Sequence, residues 1–161
     1  MSRVTTVESG RTTSQGWGSD PLVGFHFKVE VGAKVEGYFT ECSGLGSETE
    51  IIEHKVIDGN GQEVTLKIPG RLKWENIVLK RGVTEDMEIW NWRQEVITGG
   101  VDGSRINGSI EMLDQNGGAV ARWEFTNGWP SKVTGPQPKA DGNEIGIEEL
   151  TITHEFIERI S

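Results

Sequence analysis

From Phe25 to Val31 the stretch FHFKVEV puts Phe25, Phe27, Val29 and Val31 on one side of an extended chain and His26, Lys28 and Glu30 on the other. Successive side chains of a strand point to opposite faces, so this period of two predicts a half-buried strand. The same pattern returns along the chain, and one stretch alone, TEDMEIWNWRQEVITGG over residues 84–100, reads as a helix. Six or seven alternating segments, one helix and no strand–helix–strand rhythm predict a mostly β fold. The expected architecture is a small antiparallel β-barrel or two-sheet sandwich with one flanking α-helix. With 22 glycines and 34% hydrophobic residues, the chain favours short strands and many turns over long helices.

The 161 residues suit one domain. Residues 1–19 are rich in Ser, Thr and Gly, hold Trp17, and read as a flexible arm. Asp20-Pro21 punctuates the chain, and residues 20–161 form the expected domain. GYFTECSGLG is a second strand candidate. SETEIIEHKVIDGNG carries the turn signal Asp58-Gly59-Asn60-Gly61, which predicts a strand–turn–strand arm over about residues 48–68. Its charges are too dense for burial on either face, so it is expected to project. In KIPGRLKWENIVLKRG, residues 67–82, Pro69-Gly70 marks a break and a long alternating strand follows. There Trp74, Asn76 and Val78 oppose Lys73, Glu75, Ile77 and Leu79, and neither face is purely apolar.

In the helix Thr84 is the N-cap candidate, and Glu85 and Asp86 suit the positive helix start. Gly99-Gly100 ends it. Met87, Trp90 and Ile97 form one stripe and Ile89, Trp92 and Val96 another, so the helix is expected to be covered on two sides. A hairpin follows around Asn116-Gly117, with Ile106, Ile110 and Met112 facing the core with Trp123 and Phe125. NGWPSKVTGPQPKADGN reads as a loop. The last segment alternates Leu150, Ile152, His154 and Phe156 with Glu149, Thr151, Thr153 and Glu155, predicting one long strand with an acidic, hydroxylated face.

A net charge of −9 and a pI near 4.9 argue against binding to phosphate backbones. The lone Cys42 permits no internal disulfide and reads as a small core residue. His26, His54 and His154 fall on separate segments without metal-ligand spacing, and no nucleophile elbow or phosphate loop occurs. Neither cofactor nor catalytic site is expected. The start MSRVTTVESG lacks the apolar core of a signal peptide and no stretch approaches a membrane span, so folding in the cytoplasm is the expectation. What remains is surplus surface: a wrapped helix, a charged arm and strand edges that need neighbours.

DPLVGFHFKVEV (20–31), KIPGRLKWENIVLKRG (67–82) and IWNW (89–92), in that order, resemble the inner tube protein of contractile phage tails and phage-tail-like injection systems. The haemolysin-coregulated protein of type VI secretion is a more distant likeness. The resemblance spans about residues 20–160. It implies six-subunit rings that stack into a hollow tube, assembled in the cytoplasm inside a contractile sheath. Baseplate and tail-terminator components would be further partners, with effector or DNA cargo in the lumen and no direct membrane anchoring. The particle would be a phage tail or an injection device, released or envelope-anchored. The protein would puncture and deliver but catalyse nothing.

On this reading Met87, Ile89, Trp90, Trp92 and Ile97 pack the helix on its own sheets and against a neighbour. The arm residues Glu48, Glu50, Glu53, His54, Lys55, Asp58 and Gln62 reach an adjacent subunit or ring. Asn107, Ser109, Glu111, Glu149, Thr151, Thr153 and Glu155 are the candidates for a negative lumen. The alternative is a monomeric β-barrel acting as an adaptor or effector-binding module of such a particle.

Overall fold

The computed structural model describes residues 26–136 and 146–161. The expectations for residues 1–19, for Trp17, for Asp20-Pro21 and for Phe25 lie outside them. Among the described residues ten strands occur: β1 (His26–Val31), β2 (Val35–Phe39), β3 (Glu41–Ser43), β4 (Ser47–Ile57), β5 (Glu63–Trp74), β6 (Ile77–Gly82), β7 (Ile106–Leu113), β8 (Ala119–Thr134), β9 (Ile147–Thr153) and β10 (Phe156–Arg159). One helix, α1 (Glu88–Gly99), and a 3-10 turn at Asp102–Ser104 separate β6 from β7. The fold is mostly β and antiparallel, as the alternation implies.

Eight strands follow the order β2-β1-β7-β8-β9-β6-β3, with β10 added on β8. The path bends into two sheets at β8, whose first half pairs with β7 and β10 and whose second half pairs with β9. The bend sits at Asn127, the one described non-glycine residue with positive φ, at 53°. The Asn107 side-chain oxygen accepts the Asn127 backbone N–H at 3.0 Å and holds this turn. Gly108 and Gly128 make room beside it. A Cβ on either would meet the Phe125 ring, at 2.5 Å and 2.3 Å respectively, so the ring enters the core only because both positions lack one. The two ends of the path, β2 and β3, are one stretch of chain kinked at Thr40, whose N–H donates to Lys80 O at 2.9 Å. The expected barrel or sandwich is therefore two bent sheets around a common core.

That core is Val29, Val31, Val35, Phe39 and Ile110 with Phe125 and Ile157 from the first sheet, and Ile77, Leu79, Leu150 and Ile152 from the second. Ile89 and Trp92 of α1 complete it. The β4–β5 and β7–β8 hairpin turns use one device. Asp114 Oδ1 accepts N–H from Asn116 and Gly118, and Asp58 Oδ1 accepts N–H from Asn60 and Gln62, all at 2.8–2.9 Å. The short Asx carboxylate replaces the missing strand partners inside each turn.

Several local expectations need correction. Pro69-Gly70 does not interrupt the chain but lies within β5, at the register shift between Thr49 and Ile51, where a residue without an N–H is tolerated. The break comes at Glu75-Asn76, so Trp74 and Val78 belong to different strands. Beyond it β6 is an ordinary half-buried strand with Ile77, Leu79 and Arg81 inward. The expected loop after Asn127 is strand as far as Thr134, with Pro130 again at a register shift. Residues 137–145 of that stretch lie outside the described residues. The expected single last strand is two, β9 and β10. At the break the chain passes from the second sheet to the first, and the Glu155 N–H donates to Thr126 O at 3.0 Å. The crossing inverts the phase, so Ile157 is buried and Phe156 is 43% exposed. Thr84 is not the N-cap. Its hydroxyl accepts the Asp86 N–H, and the Asp86 carboxylate accepts the Glu88 N–H at 2.9 Å, which delays the helix to Glu88. The helix does end at Gly99-Gly100, where Gly100 adopts φ 85°.

Candidate assembly interface

The β4–β5 arm is an unfinished surface. It is a separate two-stranded ribbon, and beyond its base it packs on no other element to any extent. The base is anchored by the Glu75 N–H to Gly46 O bond and by Trp74, whose ring meets Phe156 edge-on at 5.2 Å. Along the ribbon Ile51, Ile52, Ile57, Leu66, Ile68 and Leu72 are 43–66% exposed. Isolated hairpins are marginal in water, so so much bare aliphatic surface on a long ribbon implies a covering partner.

All seven arm residues expected from the sequence lie on this ribbon or its turn: Glu48, Glu50, Glu53, His54 and Lys55 on β4, and Asp58 and Gln62 in the turn. The cross-strand register sorts them more finely than composition could. Ile52 faces Ile68, His54 faces Leu66, and Val56 faces Val64; Glu53 faces Lys67 and Lys55 faces Thr65. One face thus holds five aliphatic side chains and a histidine along this stretch, and the other mixes the charged pairs with Ile51, opposite Pro69, and Ile57, opposite Glu63. Charge density along β4 concealed this, because Glu53 and Lys55 separate the aliphatic positions in sequence.

The five helix residues divide by depth. Ile89 and Trp92 are buried, and the Trp92 indole N–H donates to Ser104 O at 3.0 Å. Trp90 is half-buried, whereas Met87 and Ile97 are 56% and 61% exposed. The helix is tied to the β1–β2 end by Lys34 Nζ on Glu95 at 2.9 Å.

A group that sequence reasoning missed fixes the helix to the sheets. Arg81 and Glu148 are register partners on β6 and β9, both inward, and 5% and 2% exposed. Arg81 Nε donates to Glu148 Oε1 at 2.9 Å. Glu148 Oε2 accepts the Trp90 indole N–H at 2.8 Å. Arg81 also lies 3.6 Å from the Asp86 carboxylate and stacks 4.9 Å over the Phe39 ring. The signal was present: Arg81 follows Ile77 and Leu79 in phase, and Glu148 precedes Leu150 and Ile152 in phase. A cation and a carboxylate at the ends of two apolar faces point to a buried pair.

The seven polar candidates do not converge. Asn107, Ser109 and Glu111 sit on β7 with Lys28, Glu30, Arg122 and Glu124 as cross-strand neighbours on the same outer face of the first sheet. Arg122 bridges Glu111 and Glu124 at 3.1 and 3.2 Å. The Lys28–Glu30 pair at 2.8 Å holds the lysine above and the glutamate below their ordinary pKa values, through the hydrogen bond first and charge second. Glu149, Thr151 and Thr153 lie on the outer face of the second sheet, where Glu149 faces Lys80 and Thr151 faces Lys132. Glu155, at the break, bonds the Asn127 side chain at the bend.

Of the three histidines His154 alone is buried among the described residues. Its Nε2 lies 2.9 Å from Glu75 O, at the foot of the arm, and Nδ1 has no partner. Burial pushes its pKa below the ordinary 6.5, partly opposed by backbone carbonyls. The fold therefore holds a neutral imidazole, while the unfolded chain takes up a proton near pH 6.5. Stability is complete above that pH and declines as the pH falls through it towards the lower folded value. Urea midpoints measured from pH 8 to pH 5 should fall less for His154→Gln than for the native chain; equal slopes would contradict the assignment. Cys42 faces the core opposite Leu79, and burial pushes its thiol up to about 12, in keeping with an unreactive core residue.

Residues 23–158 match the family model described as T4-like virus tail tube protein gp19. A chain of the PVC sheath-tube complex in its extended state, from an extracellular contractile injection system, is 26% identical over 92% of this chain and 97% of that one, with a TM-score of 0.72. A chain of the PVC sheath/tube terminator structure is likewise 26% identical, over 89% and 99%, at 0.71. A type six secretion system protein shares the fold at 11% identity and a TM-score of 0.54, over 84% and 82%. No protein with a curated description matches significantly. The strand order, the single flanking helix and a family match running through nearly the whole described fold lead to one assignment: the chain belongs to the T4-like virus tail tube protein gp19 family.

Proposed function

We propose that this chain forms six-membered rings that stack into the hollow inner tube of a contractile injection system or phage tail. Sheath contraction then drives the tube through a target envelope and delivers what the lumen holds. Sheath, baseplate and terminator proteins are its partners. Residues 20–161 form the tube domain, preceded by the segment 1–19. The reading rests first on family membership, since the family and fold are those of structural tube proteins, not enzymes. The observation that carries self-assembly is the bare arm, a ribbon of two strands with six large aliphatic side chains in solvent. Open sheet edges and an uncovered ribbon become assembly contacts when copies join, and head-to-tail stacking that does not close grows a tube.

We further infer that the outer face of the first sheet lines the lumen. Glu30, Glu36, Glu111, Glu124 and Glu158 lie there against Lys28 and Arg122. Six copies give a negative channel that repels acidic polymers from its wall. Glu149, Thr151 and Thr153, on the other sheet, then face a neighbouring subunit or the sheath.

Electron microscopy of the purified full chain at high concentration tests the reading. Rings and tubes are expected, with Glu30, Glu111 and Glu124 on the inner wall. A chain that sediments as a monomer at every concentration overturns it. Single rings that never stack favour a terminator position, in keeping with the equal likeness to tube and terminator chains.

A further inference from the structure

The arm leaves the body through two short feet, residues 44–46 before β4 and residues 74–76 at the end of β5 and just after it. Gly44 has φ 82° and lies so close to the other foot that a Cβ on it would stand 1.9 Å from Asn76 O and 2.8 Å from the Asn76 carbonyl carbon. Both the dihedral and the space exclude a side chain there. Two residues on, Gly46 O accepts the Glu75 N–H at 3.1 Å, and the ladder of the ribbon begins at once with Ser47 opposite Trp74. The two feet therefore meet in a narrow waist before the ribbon starts.

The end of β9 holds the second foot from the side of the body. His154 Nε2 lies 2.9 Å from Glu75 O, and the Thr153 hydroxyl lies 3.2 Å from the Asn76 side-chain oxygen. A carbonyl can only accept, so Nε2 carries the proton and donates it to the foot. His154 is buried, with the Trp74 ring centred 6.0 Å away and the Phe125 ring 6.2 Å away. Its Nδ1 has no partner, and an unpaired buried acceptor costs stability. The hydrogen bond that the ring does make is spent on the waist. Thr153 and His154 also stand where the chain passes from the second sheet to the first, so the arm is keyed to the joint between the sheets.

Leverage gives this joint its consequence. Twelve residues of β5, at about 3.3 Å each, carry the tip up to roughly 40 Å, and a play of about 10° at the waist moves it by roughly 7 Å, more than the ~4.8 Å between paired strands. A loose arm would also lose orientational freedom on association, a cost that a preset arm avoids. We propose that Gly44 and His154 lock the waist, so that the arm of a lone subunit already holds the one direction in which a second copy receives it. The part played by the second copy rests on the tube reading above; the lock belongs to the single chain.

Dipolar electron spin resonance on the full-length chain, at concentrations where it stays monomeric, tests the lock. Spin labels are placed at Gln62→Cys in the turn of the arm and at Thr98→Cys on α1, in a Cys42→Ala background. The native waist should give one narrow distance distribution. His154→Gln, which keeps a donor near the position of Nε2, should do the same. His154→Leu, which fills space without a donor, should broaden the distribution at least twofold. Gly44→Ala should broaden it as well, and His154→Leu decides alone where that variant does not fold. In unlabelled chains His154→Leu should raise the concentration needed for tubes at least tenfold, and His154→Gln should leave it within twofold. The proposal fails if the native distribution is already broad, if His154→Leu stays as narrow as the native chain, or if His154→Leu forms tubes at the native concentration. It also fails if His154→Leu lowers the urea midpoint without widening the distances, since His154 would then serve packing alone. A native chain that forms no tubes at any concentration would instead overturn the tube reading, and the distance widths would still decide the lock.

Discussion

Trp92→Ala is expected to destabilise the chain by roughly 3–5 kcal/mol, because a fully buried indole leaves both lost transfer energy and a cavity. Trp92 is 1% exposed, at the centre of the helix face that closes the core. Its indole N–H also satisfies the Ser104 carbonyl, at the turn between α1 and β7, so truncation orphans a buried acceptor. Met87→Ala and Ile97→Ala, on the exposed side of the same helix, should change the urea midpoint by no more than about 0.5 kcal/mol equivalent. The contrast is the test. Equal losses at all three positions would mean that α1 is rotated from the orientation described, and that no face of it is left for a neighbour. In assembled particles the order should reverse for Met87 and Ile97, whose effects would appear in association and not in folding.

Glu148→Gln is the second large effect. It keeps the shape of the side chain but leaves the Arg81 guanidinium, 5% exposed, without its anion. Removing one member of a buried pair typically costs about 3–5 kcal/mol, which for a chain of this length lowers the melting temperature by roughly 6–20 °C. Asp86, at 3.6 Å and partly in solvent, compensates only in part. The double variant Arg81→Met with Glu148→Leu should recover most of the loss, because attraction within a buried pair is largely offset by the desolvation of both members. The freed Trp90 N–H, on a half-buried ring, can then turn to water. Calorimetry decides: a double variant no more stable than Glu148→Gln would show that the cluster supports the helix by its charge, not by filling space.

How much of this was legible before folding is clearest at the turns and the arm. Asp58-Gly59-Asn60-Gly61 and Asn116-Gly117 named their hairpins because a turn is a local object, made by one carboxylate and a glycine with positive φ. The strands whose alternation was clean, β1 and β7, came out with the expected inward residues Val29, Val31 and Ile110. The arm was expected to project, and it does. Its cross-strand aliphatic pairs were hidden, since Glu53 and Lys55 flank His54 in sequence but face away from it in the ribbon.

Where the chain passes between sheets, alternation misleads. Phe156 belongs in phase with Leu150 and Ile152, yet it emerges on the surface because the strand changes sheet at His154-Glu155. The same physics makes Pro69 and Pro130 look like strand ends when each lies at a register shift that dispenses with its N–H. Arg81 and Glu148 carry phase information individually, but their pairing spans 67 residues and exists only once β6 lies beside β9. By itself, then, the order of residues determined the class of fold, the turns, the family and the surplus of uncovered surface, all of which depend on neighbours along the chain. Tertiary structure alone decided which polar residues share a face, which arm side chains stand opposite one another, and where two opposite charges are buried together, since each of these is a contact between strands.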